Sequence, residues 1–246
     1  MERGAGMGTL GGFRPSCTNN IIAADGLLLA PDYTRTCKCA YQNQTSLALM
    51  HMPATETWTE FAYETATAPV EQIGINFGAP GDRLADDGVM WIEYPLVGGR
   101  SPQLGISVEP ETVTYARVHE SRESKSRYAW VDASAATGIR QFRIRLIPNS
   151  LPESPRTYDI QLRFAAPAGV KPGELQCTIV VQGKTVLSDL DIATEGGGRS
   201  VVMCEVRVVR VDRELVLELR PSHEATRVPR LCGIRIQASP ETRRQD

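Results

Sequence analysis

The chain has 246 residues, 41% hydrophobic and 23% charged, with 27 Lys and Arg against 29 Asp and Glu for a net charge of −2. That length suits one large domain or a domain with an extension, and the near-neutral balance excludes the basic excess by which proteins hold nucleic acid or anionic membranes. No run reaches the roughly 18 apolar residues of a membrane-spanning helix, and the opening "MERGAGMGTLGG" has no apolar stretch of the kind a secretion signal carries.

The first distinctive stretch, "CTNNIIAADGLLLAPDYTRTCKC", holds Cys17, Cys37 and Cys39. Its spacing does not fit a c-type haem, which needs Cys-x-x-Cys-His, and a zinc site draws on two Cys or His pairs where only one pair is present. A disulfide from Cys17 to Cys37 or Cys39 is the economical reading in an oxidising compartment; it closes a loop of about 20 residues and constrains the unfolded chain by roughly 3 kcal/mol. Residues 1–53 carry further apolar runs, "IIAADGLLLA" and "SLALMHM", but are too few to bury a good core alone. Around "MPATETWTEFAYETATAPVEQ" the composition turns to Thr, Glu, Ala and Pro, which predicts a linker over 54–69 before a second domain over 70–239. Residues 240–246 read as a disordered, solvated tail.

Within 70–239, segments of period-two alternation are separated by Gly and Pro turns such as "APGD" and "VQGK", the pattern of short strands. The predicted strands are "EQIGINF", "VMWIEY", "LGISVE", "VTYARV", "QFRIRLI", "TYDIQLRF", "LQCTIVVQ", "KTVLSDLDI", "SVVMCEVRVV", "ELVLELR" and "LCGIRIQ". In "TYDIQLRF", Tyr158, Ile160, Leu162 and Phe164 share an inward face and Asp159, Gln161 and Arg163 the outward one; in "QFRIRLI", Phe142, Ile144 and Leu146 point inward. Cys177, Cys204 and Cys232 sit inside such patterns and read as small core hydrophobes. About ten strands at this spacing predict an all-β sandwich.

Catalytic constellations are weak. His51, His119 and His223 lie far apart with no Gly-x-Ser-x-Gly elbow, and "ATEGGGRS" at 193–200 lacks the Gly-Lys-Ser/Thr ending of a phosphate loop, so it reads as a long hairpin turn. Asp86 and Asp87 in "RLADDGVMW" read first as an ordinary Asp-Gly turn, and also suit calcium or sugar hydroxyls. Trp91, Tyr94, Tyr115, Tyr128 and Trp130 concentrate aromatics within 91–130: flat faces for stacking a pyranose ring, or inward core residues of their strands.

From Tyr158 onward, "YDIQLRFAAPAG…GELQCTIVVQGKTVLSDLDIATEGGG" resembles the malectin and malectin-like β-sandwich domains, which bind carbohydrate. "LCGIRI" is similar to that fold's closing strand, and "INFGAPGDRLADDGVMW" to its opening strand and Asp-Gly loop. The resemblance spans about residues 70–237 and implies a jelly-roll sandwich acting as a non-catalytic, cofactor-free module for carbohydrate or cell-envelope glycan. The disaccharide residues of malectin are not retained: its paired aromatics meet Ala168 and Gly169, its late Asp meets the region of Arg227, its loop aromatic meets Asp87, and a further tyrosine meets His119 or Glu120. A different set is therefore expected to carry a sugar site, namely Asp86, Asp87, Trp91, Tyr94, Arg117, His119, Tyr128 and Trp130.

The opening segment, "CTNNIIAADGLLLAPDYTRTCKCAYQNQTSLALMHMP", is similar to the end of bacterial, planctomycete-type quinoprotein-like β-propellers, in which a malectin-like domain follows the last blade. The resemblance implies that residues 1–53 are a blade remnant with exposed apolar residues, that the missing propeller is a partner in cis, and that the whole belongs to a longer exported, periplasmic or extracellular protein. The alternative to sugar binding is a domain that packs on the propeller or mediates protein contacts. Catalysis is expected only of the longer parent.

Overall fold

Alternation of apolar and polar residues favours strands, and strands dominate a computed structural model of the chain, which describes residues 20–31, 46–50, 56–58, 67–97, 104–122, 126–152, 154–166, 169–196 and 201–240. The chain divides into two compact units, Met1–Thr57 and Trp58–Asp246. Cys17, Cys37, Cys39, His51, Ala168 and the tail at 241–246 lie outside the described residues.

In the first unit, β1 (Ile22–Ala24), β2 (Leu27–Ala30) and β3 (Leu47–Met50) form an antiparallel sheet in that order. Asp25 and Gly26, both at positive φ (50° and 75°), make the tight turn between β1 and β2, as an Asp-Gly hairpin requires. Each of the eleven strand residues is Ile, Leu, Ala or Met, so neither face is polar. Ile22, Leu27, Leu28, Leu49 and Met50 are exposed.

The second unit runs β4 (Gln72–Phe77), β5 (Arg83–Leu84), β6 (Met90–Tyr94), β7 (Ser107–Glu109) and β8 (Thr114–Arg117). A 3₁₀ turn at Glu120–Arg122, the short helix α1 (Ala129–Asp132), β9 (Ser134–Thr137) and β10 (Gln141–Arg145) follow. The chain then forms β11 (Arg156–Ala165), β12 (Gln176–Val181), β13 (Lys184–Asp191), α2 (Ile192–Gly196), β14 (Val201–Val211), β15 (Glu214–Pro221) and β16 (Arg230–Ala238). One sheet has the order β13-β12-β15-β10-β7; the larger has β14-β11-β16-β4-β6-β5, with β9 pairing β16 and β8 pairing β9. All pairings are antiparallel except β4 with β6.

The two sheets pack as a sandwich on one hydrocarbon core. From the larger sheet come Ile75, Phe77, Tyr158, Ile160, Leu162, Phe164, Ile234 and Ile236; from the smaller come Phe142, Ile144, Cys177, Ile179, Leu215, Leu217 and Leu219. Phe77 and Phe142 meet edge-to-face at 5.7 Å across the sheets, the geometry that aromatic quadrupoles favour. Cys177, Cys204 and Cys232 are buried, and burial pushes the Cys177 thiol up to about 12 and the Cys204 thiol up to about 11. The core reading of all three is what the structure has.

Three expectations are corrected. Trp130 lies on α1 and not on a strand. The stretch read as a long hairpin turn begins as α2, where Asp191 accepts from the Ala193 N–H (3.1 Å) and the Thr194 hydroxyl (2.7 Å). Arg163 faces outward as its parity demands, yet is only 4% exposed, because another layer covers it.

Candidate functional site

The covering layer lies on the outer face of the larger sheet. Period-two alternation sends Gly74 and Asn76 of β4, Trp91 and Glu93 of β6, and Arg163 of β11 away from the core. Gly74 is registered with Trp91. A Cβ on Gly74 would collide with the Trp91 six-membered ring, and one on Gly233 would come within 2.8 Å of its Cζ3. The two glycines thus make the space in which a large indole lies against the sheet, and Trp91 is fully buried.

Helix α1 and the residue before it close over that ring. Tyr128 and Trp130 stand 5.3 and 5.8 Å from Trp91 between ring centroids. At the helix end Asp132 takes a two-pronged ion pair from Arg163, Nε to Oδ1 and Nη2 to Oδ2, both at 2.6 Å, with the side chains 1% and 5% exposed. The Ser126 hydroxyl adds a bond to Asp132 at 3.0 Å. The Arg163 guanidinium also lies 5.2 Å from the Tyr128 ring centroid. Bidentate pairing of this kind holds geometry well, so the pair fastens α1 to β11.

On the same layer, the Asp-Asp-Gly loop closes as a turn, with the Gly88 N–H donating to Ala85 at 2.9 Å and Gly88 at φ 81°. Its Asp87 accepts from the Tyr128 hydroxyl at 2.5 Å and pairs with Arg235 at 3.3 Å. Burial pushes the Asp87 carboxyl up, but the bonds from Tyr128 and the Val89 N–H, with the charges of Arg235 and Arg127, outweigh it and hold the group below its ordinary 3.8. Burial and the bond to Asp87 push the Tyr128 phenol up. Asp86 is exposed beside it. Among the described residues no group of three or more His, Cys, Asp or Glu gathers to hold a metal ion.

At the rim, Trp130 meets the indole of Trp58 edge-to-face at 5.9 Å. The Arg83 guanidinium lies over both rings, 4.8 Å from Trp130 and 5.8 Å from Trp58, and Arg117 lies over Trp58 at 5.3 Å. Glu120 holds Arg83 at 3.1 Å. His119, exposed, has its Nδ1 2.9 Å from the Ser121 hydroxyl.

Of the eight residues expected to form a site, this layer therefore brings Asp87, Trp91, Tyr128 and Trp130 together, with Arg117 joined to Trp130 through Trp58. Four are corrected. Tyr128 and Trp130 are buried, 8% and 6% exposed, in one cluster with Trp91. Trp91 has no open face for a sugar ring, since the sheet and α1 cover it, and so its core reading holds. Tyr94 points to the opposite face, packed on the main core and edge-to-face with Phe77 at 6.1 Å. Sequence reasoning missed Trp58, assigned to a linker, and Arg83; a tryptophan in a stretch of Thr, Glu and Ala was the available signal.

No protein-family model matches the chain, and no curated protein matches it in sequence. Among the described residues no helix is long and apolar enough to cross a membrane. Solved structures do match. The ANXUR1 extracellular domain from Arabidopsis thaliana aligns at TM-score 0.52 and 14% identity over 70% of this chain and 42% of that one. The ANX1 ectodomain from the same plant aligns at 0.51 and 16%, over 70% and 42%. A calcium binding mutant of Bacteroides uniformis beta-glucuronidase 2 aligns at 0.50 and 13%, over 87% and 22%. The chain spans about two fifths of the length of those ectodomains. At such identities the likeness concerns the fold alone, and that fold is the malectin-like β-sandwich.

Proposed function

We propose that the second unit is a non-catalytic module that binds carbohydrate, cell-envelope glycan in particular, at the rim of the outer layer. The observation that supports this most is exposed Arg117 at the rim where Trp58 meets Trp130, with exposed His119 two residues further along and Asp86 exposed on the loop whose Asp87 bonds Tyr128. Sugar recognition needs hydrogen-bonding groups that fix hydroxyls beside apolar surface. Trp91 supports the layer from beneath. An exported setting, periplasmic or extracellular, belongs to this reading. The full chain on an array of neutral and acidic glycans tests it: binding to at least one glycan, lost in His119→Ala and Arg117→Ala, is the expected result. A folded chain that binds none would sink it.

A second reading concerns the first unit, as a blade remnant that packs against a propeller in cis. The sheet β1–β3, apolar on both faces, supports it, since antiparallel sheets in contact with water ordinarily keep one polar face. The prediction is that an apolar-surface dye binds the full chain and that deleting residues 1–53 removes most of that signal. An equal signal from both chains would count against it.

A further inference from the structure

Trp58 enters the rim from outside both sheets and sits among residues that the glycan reading needs. Among the described residues, its indole meets Trp130 edge-to-face and the guanidiniums of Arg83 and Arg117, all within 6 Å of its centroid. Arg83 is itself fixed, by Glu120 at 3.1 Å and by lying over Trp130 at 4.8 Å. Those partners come from β5, β8 and α1, each anchored through the larger sheet or its covering layer. The slot is therefore built by the sandwich, while its occupant comes from the chain ahead of it. Cations over the ring engage the π surface that a pyranose would otherwise use, and Trp58 is half-buried as a result.

We infer that Trp58 is an in-chain occupant of a preformed slot for flat rings, made by Arg83, Arg117 and Trp130, and that it must leave before a ring-bearing ligand docks there. The inference rests on the glycan reading for the identity of that ligand, but not for the existence of the slot. An internal competitor lowers apparent affinity by the fraction of molecules in which the slot is open. Trp58 therefore works as a brake on the site, not as a stacking platform within it.

The test uses the full chain with N-acetyl-L-tryptophanamide as the probe, its binding followed by the NMR signals of the Trp130 indole and the His119 ring. Trp58→Ala is expected to take up the probe with at least about tenfold higher affinity than the unmodified chain, and adding Arg117→Ala is expected to abolish the gain. Trp58→Gln, which keeps bulk without a ring, gives the same comparison should the alanine variant misfold. Equal binding to both chains, or no uptake by either Trp58 variant, overturns the inference. For any glycan that binds the unmodified chain, removing Trp58 is expected to tighten binding by a similar factor; weaker binding would make Trp58 a platform and overturn the brake. If no glycan binds any chain while the probe enters only the Trp58 variants, the glycan reading fails and the slot stands.

Discussion

The larger sheet of the sandwich has two faces held by different physics. Its inner face is a hydrocarbon core shared with the smaller sheet, where Tyr158, Ile160, Leu162 and Phe164 pack by size and apolarity. Its outer face is a thin aromatic and arginine layer, in which two glycines admit one indole and a buried ion pair fastens a four-residue helix. The first face gains mainly from area removed from water, about 25 cal/mol per Å²; the second depends on complementary charges and on space left by missing side chains. The lesson is that the inner face tolerates apolar exchange one residue at a time, whereas on the outer face the members of a pair must change together.

The sharpest contrast comes from pairing one deletion in the core beneath the inner face with one in the outer layer. Phe142→Ala is expected to cost about 3–5 kcal/mol by transfer and cavity terms, and Asp132→Ala a similar ~3–5 kcal/mol because it strands the buried Arg163, both read by chemical denaturation. They part on rescue: Asp132→Leu with Arg163→Met is expected to regain most of the loss, as apolar replacement of a whole buried pair often does. A double variant as unstable as the single one would mean that the pair does more than fasten α1. A smaller effect is expected from Gly74→Ala, about 1–3 kcal/mol, since the added methyl drives into the Trp91 ring; loss of the Trp91 near-ultraviolet signal would accompany it.

How far these faces could be read in advance follows from the same contrast. Alternation in "TYDIQLRF" and "QFRIRLI" fixes which residues face the core, because period two and one hydrophobic face suffice for that. It reports parity and nothing about solvent, so Arg163 was assigned outward correctly while its burial was invisible. Asp132 and Arg163 are 31 residues apart, and no local pattern links them. Trp130 sits in a helix of four residues, too short to show a period of 3.6, and Ser134–Thr137 carries only Ser, Ala and Thr, without the bulky residues that mark a strand. Trp58 was hidden by the composition around it.

Titration separates the two faces further. Asp87 on the outer layer is held below its ordinary 3.8 when folded, so its stabilisation is present above that value and lost as pH falls through the folded value. Asp87→Asn is accordingly expected to destabilise the chain at pH 7, and the difference is expected to shrink as pH falls through the folded value of Asp87. On the inner face the sign reverses: Cys177, pushed up to about 12 by burial, keeps its proton while the unfolded chain loses one. Stability therefore falls between about pH 9 and 12, and Cys177→Ala is expected to flatten that fall in melts across the range. The smallest effect belongs to neither face: Arg145→Ala, which removes a partly exposed pair with Glu214 at 2.5 Å, is expected to change stability by about 0–1 kcal/mol.

The central claim is that ligand meets this protein on the outer layer of the larger sheet, and hydrogen exchange of the full chain with and without a glycan selected from the array tests it most directly. The account predicts slowed exchange in residues 83–88, 115–122 and 128–134, with the strands of the smaller sheet unchanged. Protection confined to β12, β13 or β15 would contradict it.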